Sequence, residues 1–351
     1  MKPSDLVEPF ENCPVLDGYH CQTNSLAKIY NFFGHPLSED MLLGLGAGMG
    51  SIYWHQKGMP PFVGSRGNNK DFFNDIGKRT SVKIEVRSTA SEKKAEEALL
   101  KKMSAREPLM VFGDMGYLPW FDFPEGYHFG GHTFVICGYD GENNILISDM
   151  DPKAVGPKEG FYSSISLEQL RKARNSKHKP FPPKNTYLEF DFENYQQPGE
   201  DEIYSAIRQN MESMVNPPIS NLGIKGIRRT ASEIGKWKNL LNEKELRLNL
   251  FNLYIFIEIG GTGGGSFRYM YSRFLKEAAK ITKNDKLLAA SKMVHGSGEI
   301  FTEIGLLFKD AENVPDLDDR VKEAQGLYLK VAEAEESAFG YILENIPKQD
   351  I

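Results

Sequence analysis

Cys21, His132 and Asp149 have the types and spacing of a nucleophile, its base and the group that orients the base. If they meet in space, the chemistry is covalent acyl transfer or hydrolysis. Cys21 lies in YHCQTNSLAKIYNFFG, where Leu26, Ile29, Tyr30 and Phe33 recur on one helical face and place the cysteine in a first turn. A helix N-terminus carries about half a positive charge and unpaired N–H groups. Both lower a thiol's pKa and can hold a developing oxyanion.

The elements that must position the other two are two strands. GGHTFVICGYDGENNILISD reads as a β-hairpin, with a turn-forming centre between two apolar runs. Pairing Ile136 with Ile145 sets His132 directly opposite Asp149 on one face. There a carboxylate can accept from the imidazole and fix its direction; a bulge in the turn would alter that register. Taken singly, a cysteine near a helix start is most often a small buried apolar residue, and an aspartate ending a strand a turn former. The joint arrangement favours chemistry. Cys13, before Pro14, and Cys137, inside the first hairpin strand, lack a helix start behind them. His20 and His128 are candidates to line the site, and His35, His55, His178 and His295 show no readable pairing. No spacing suits zinc.

The Cys21 segment, LSEDMLLGLGAGMGSIYW, GGHTFVICGYD and GTGGGSFRYMYSRFL resemble the butirosin-biosynthesis BtrH-type acyltransferases, over about Cys13 to about Phe308. The chain is similar in the same way to the amide synthetases of thiotemplated pathways such as closthioamide assembly. The resemblance implies an α+β, papain-like fold with Cys on an N-terminal helix and His and Asp on an antiparallel sheet, joined to an α-helical C-terminal domain. It also implies transfer of an acyl group from the phosphopantetheine thioester of an acyl carrier protein to an amine, with Cys21 as nucleophile, His132 as general base and acid, and Asp149 as orienter. Where papain-type enzymes place an oxyanion-hole glutamine, six residues before the cysteine, this chain has Val15. The Cys21 N–H would be one donor, with the side chains of Gln22 or Asn12 as candidates for the other.

Length and composition fit a two-domain enzyme, with domains expected at 1–198 and 199–351, the second a lid or carrier-docking element. Hydrophobic residues at 40 % permit full cores, and 26 % charged residues argue against disorder. There is no signal peptide or membrane-spanning run, and three cysteines do not suggest a disulfide framework, so a reducing cytoplasm is expected. A net charge of −6 argues against nucleic acid. Strands are expected at SVKIEVRS, EPLMVFGD and TYLEFDF, and helices at SEKKAEEALLKKMSA and at ISLEQLRKARNS, the latter with a Ser166–Gln169 capping box. From about Asp201 onward the pattern is helical. The glycines at 44, 46, 48 and 50 read as close packing beside the active site. GGTGGGS, lacking Gly-Lys-Ser/Thr, reads as a close-packed turn or a cleft loop with Arg268 beside it, a candidate contact for the pantetheine phosphate.

Residues 221–280 hold 11 Lys and Arg against 5 Asp and Glu. Lys225, Arg228, Arg229, Lys236 and Lys238 there form a candidate docking patch for an acidic carrier, although a solvated helix face is the plainer reading. Thioester to amide is downhill, so no cofactor or metal is needed. A papain-like peptidase, amidase or thioesterase shares the same residues, and a carrier-binding scaffold with an unreactive cysteine is the non-enzymatic alternative.

Overall fold

The computed structural model describes residues 8–151 and 157–348, which form two compact units. The first comprises residues up to Leu42 together with Thr80–Gln197, the second Leu43–Arg79 with Pro198 onward. The chain is α+β, with an antiparallel sheet followed by a helical C-terminal region.

The first unit is built on a six-stranded antiparallel sheet in the order β3-β8-β4-β5-β6-β7. Its strands are β3 (Lys83–Arg87), β4 (Leu109–Gly113), β5 (His132–Tyr139), β6 (Asn144–Met150), β7 (Gly160–Ser166) and β8 (Tyr187–Asp191). β5 and β6 are buried almost along their whole length. They therefore read as continuous apolar runs rather than alternating ones. Helix α1 (Cys21–Phe32) packs on β5, buries Leu26, Ile29 and Tyr30, and ends where Gly34 takes a left-handed φ of 81°. Helices α4 (Glu92–Ser104) and α5 (Leu167–Asn175) also belong to this unit. Ser166 Oγ accepts from the Gln169 N–H at 3.1 Å. The Gln169 side chain completes no box; it donates instead to the Tyr117 carbonyl.

The segment before α1 is laced to the sheet. Ser148 Oγ donates to the Pro14 carbonyl at 3.0 Å, the Tyr162 hydroxyl to the Cys13 carbonyl, and Gly18 bridges Lys158. Phe10 N–H donates to the Cys137 carbonyl at 2.8 Å, and Cys13 forms a disulfide with Cys137 across 6.0 Å between Cα atoms. The expectation that the three cysteines form no disulfide framework is thereby corrected for one pair. The cause is a β-bulge at Cys137, where two residues of β5 face one of β6 and the strand presents its thiol to the N-terminal segment. The cysteine count no longer argues for a reducing compartment. Among the described residues no helix is long and apolar enough to cross a membrane.

The second unit contains the hairpin β1 (Met49–Trp54) and β2 (Phe62–Arg66) with helices α6 (Glu200–Val215), α7 (Gly223–Ile234), α8 (Glu243–Tyr254), α9 (Arg268–Thr282), α10 (Lys286–Leu307) and α11 (Asp318–Glu344). Two short helices, α2 (Glu39–Leu45) and α3 (Phe72–Thr80), contain the points where the chain passes between units. The compact units thus differ from a split at 198/199 in one stretch, residues 43–79. There the glycines admit neighbours: a Cβ at Gly44 would overlap the Phe274 ring, and one at Gly50 the Gly67 backbone. Close packing explains them, within the second unit rather than the one that holds Cys21.

Candidate active site

Cys21 is the first residue of α1, and His20 stands at the N-cap in extended conformation, its side chain making no capping bond to the helix. Glu39 does the capping. Its buried carboxylate accepts from Tyr19 N–H (2.9 Å), His20 N–H (3.1 Å), Thr23 Oγ1 (2.6 Å) and Asn24 Nδ2 (3.3 Å). A side chain at Gly18 would overlap Glu39 Oε1, so glycine there admits the carboxylate. The turn ahead of the thiol is fixed by these bonds. Burial raises the Glu39 pKa, against the pull of its four donors.

His132 opens β5 and Asp149 sits near the end of β6; both are almost wholly buried, 6 % and 2 % exposed. Nε2 of His132 donates to Asp149 Oδ2 at 2.8 Å. The two are not directly opposed. Observed pairs are Val135–Ser148 and Ile136–Ile147, and one step further that register sets Asp149 opposite Phe134. His132 is then its diagonal neighbour on the same face, still within side-chain reach. Ile136 thus faces a residue two places from Ile145, and on the turn side of the bulge at Cys137 the register lies one residue further still, with Ile145 opposite Tyr139.

With Nε2 committed to Asp149, the other ring nitrogen is left for the thiol, and Cys21 and His132 are hydrogen-bonded. Burial pushes the Cys21 thiol up, but the His132 hydrogen bond and charge, with the Thr133 N–H and side chain, bring it below the ordinary thiol value. Burial likewise disfavours a charged His132, yet the charge and hydrogen bond of Asp149, then Cys21, raise its pKa to about 10. The pair is therefore shifted toward thiolate and imidazolium. Cys21 itself is partly exposed, within reach of a small electrophile.

Three further groups escaped sequence reasoning. Trp120 donates its indole N–H to Asp149 Oδ2 at 2.9 Å, Phe121 sets its edge on the His132 ring at 5.0 Å, and Thr133 touches the thiol. Only the aromatic richness of GYLPWFDFPEGYHFGG signalled the first two. The other Asp149 oxygen accepts from Met150 N–H at 2.9 Å.

The remaining candidates are distributed otherwise. Gln22 follows Cys21 in α1, while Asn12 is exposed in a turn with φ 64°, beside the disulfide. Arg268 is 0 % exposed and gives its guanidinium to Glu335 (2.7 and 3.0 Å) and to the Gly50 and Ser266 carbonyls (both 2.8 Å). This corrects the phosphate-contact expectation: a fully sequestered ion pair has no face for a pantetheine arm. The neighbouring glycine-rich loop, left-handed at Gly261 and from Gly263 to Phe267, is closed on the buried Glu258 through Gly265 N–H. It is a close-packed turn. In the expected docking patch Arg228 pairs with Glu336 (2.7 Å), Lys236 with Glu233 (3.0 Å) and Lys238 with Asp318 (2.8 Å). Arg229 donates to Asn221 at 2.7 Å, and Lys225 is exposed. Three of the five charges are thus locally offset, which weakens the patch as a steering field. His128 and His178, far from unpaired, stack at 3.3 Å, with His128 Nδ1 on Asp114 at 3.0 Å.

A cysteine heading a helix, facing a histidine and an aspartate from an antiparallel sheet, is a papain-like arrangement. Residues 20–150 match the family described as butirosin biosynthesis protein H, N-terminal, and residues 168–342 match a domain of unknown function, DUF4872. The N-terminal part of the chain thus carries a BtrH-type domain. No curated protein gives a significant match.

Proposed function

We infer that the protein is a cysteine-dependent acyltransferase that forms an amide from a carrier-protein thioester and an amine. The observation that carries this reading is the His132 ring, bonded on one side to buried Asp149 and on the other to a thiol at a helix start. The Cys21 thiolate attacks the thioester carbonyl, the tetrahedral intermediate expels the pantetheine thiol, and His132 supplies that thiol's proton. An amine then attacks the acyl-Cys21 carbonyl and gives its proton to His132, and the Cys21 sulfur leaves. The Cys21 N–H at the start of α1 is one donor for the oxyanion. The family's name, butirosin biosynthesis, supports placing the reaction in natural-product assembly.

The test is intact-protein mass spectrometry after mixing with acyl-pantetheine thioesters. An acyl adduct is expected on the native protein, absent from Cys21→Ala and discharged by added amines. Discharge by water at the same rate, or cleavage of peptide amides without an adduct, would make the protein a hydrolase instead.

A further inference from the structure

Lys28 is a lysine in an unusual place, 1 % exposed in the middle of α1. It lies seven residues, two turns, beyond Cys21 and so on the same helical face. Its ammonium donates to the backbone carbonyl of Asp149 at 3.3 Å. The charged groups around it come from every neighbouring element. Asp149 on β6 and Glu39 on α2 attract it, and Lys158, which feels both Cys21 and Asp149, is a second cation nearby. Cys21 shares its helix, and His132 on β5 is reached through Asp149. A buried ammonium is costly, and such groups cluster where charge is used.

The two half-reactions make opposite demands on His132. In the resting pair the thiolate and Asp149 together hold a proton on the imidazole. After acylation the thiolate charge is gone, and the imidazole must be neutral to accept a proton from the incoming amine. Asp149 alone would still hold the proton there. A positive charge behind Asp149 opposes that hold without removing the hydrogen bond that aims the ring. We propose that Lys28 is a positioning residue for charge: its ammonium, seated against the Asp149 carbonyl, offsets part of the Asp149 charge and lets His132 give up its proton once Cys21 is acylated. This rests on the reading of Cys21, His132 and Asp149 as the reacting groups.

The direct test is an NMR titration of the His132 imidazole in Cys21→Ala, which lacks the thiolate charge as the acyl-enzyme does. Adding Lys28→Met should raise the His132 midpoint by about one unit relative to Lys28→Arg, whose guanidinium stays charged over the whole titration, the effect of a unit charge in a partly screened interior. If the methionine variant does not fold, Lys28→Gln takes its place, with the same rise expected. A midpoint unmoved by removal of the charge overturns the proposal. Alkylation of native Cys21 by iodoacetamide separates the two failures: a thiol no more reactive than free cysteine sinks the catalytic reading, whereas a reactive thiol with an unmoved midpoint sinks only the role of Lys28.

Discussion

Asp149 Oδ2 receives two donors, the His132 ring and the Trp120 indole, so the carboxylate is aimed from two sides. Trp120→Phe keeps an aromatic ring and removes one donor. Acyl transfer should fall about tenfold, as for one lost hydrogen bond worth roughly 1 to 1.5 kcal/mol, with the melting temperature little changed. Asp149→Asn should cost more, roughly 10²- to 10⁴-fold, because the amide no longer stabilises the imidazolium. Because the Cys21 pKa is lowered, the midpoint of its alkylation profile should fall below the ~8.5 of a free thiol; a profile centred on that value would count against the His132 contact. At this scale the sequence was readable where chemistry depends on residue type and position along the chain, as for Cys21, His132 and Asp149. It was not readable for Trp120, whose partner depends on how a loop folds back.

At the scale of elements, the start of α1 is organised from outside the helix. Glu39→Gln would turn an amide NH₂ toward donors that need an acceptor, leaving one unsatisfied. The expected loss is about 1 to 3 kcal/mol in denaturant unfolding, together with slower Cys21 alkylation. Gly18→Ala should act in the same direction by pushing the carboxylate aside. The helix itself was legible from its apolar face, and Lys28 stood in plain view on the face of Cys21, but nothing local announces that a distant glutamate caps it. The hairpin shows the same limit. Its two strands were legible from apolar runs, whereas the bulge at Cys137, where the disulfide to the N-terminal segment forms, and the register set by the turn leave no mark in those runs. β1, β2 and β7 went unread because glycines and serines break their alternation.

For the molecule as a whole, the Cys13–Cys137 bond closes a loop spanning 124 residues. Loop entropy puts its removal by Cys13→Ser at up to about 5 kcal/mol under oxidising conditions, and thiol titration of the unfolded native chain should find one free thiol rather than three. Lys28 gives stability a pH dependence of definite sign. Burial lowers its pKa from 10.5 to about 8, so between those values the unfolded chain binds a proton that the folded chain does not. Its contribution to stability therefore rises with pH across that window, by on the order of 3 kcal/mol, and urea unfolding of Lys28→Met should lack the rise. In the second unit Arg268→Ala should cost about 3 to 5 kcal/mol by stranding Glu335. Helical content after Asp201 was legible from periodicity. That residues 43–79 pack with those helices was not, since contacts between segments so far apart leave no local mark.

That excursion also sets an order of events during synthesis. At roughly 5 to 20 residues per second, Leu43–Arg79 leaves the ribosome several seconds before α6, the first of its C-terminal partners, has been made. The nascent chain must carry this segment without its helical partners while the first unit folds, and a gene cut short near residue 198 would leave it without them for good.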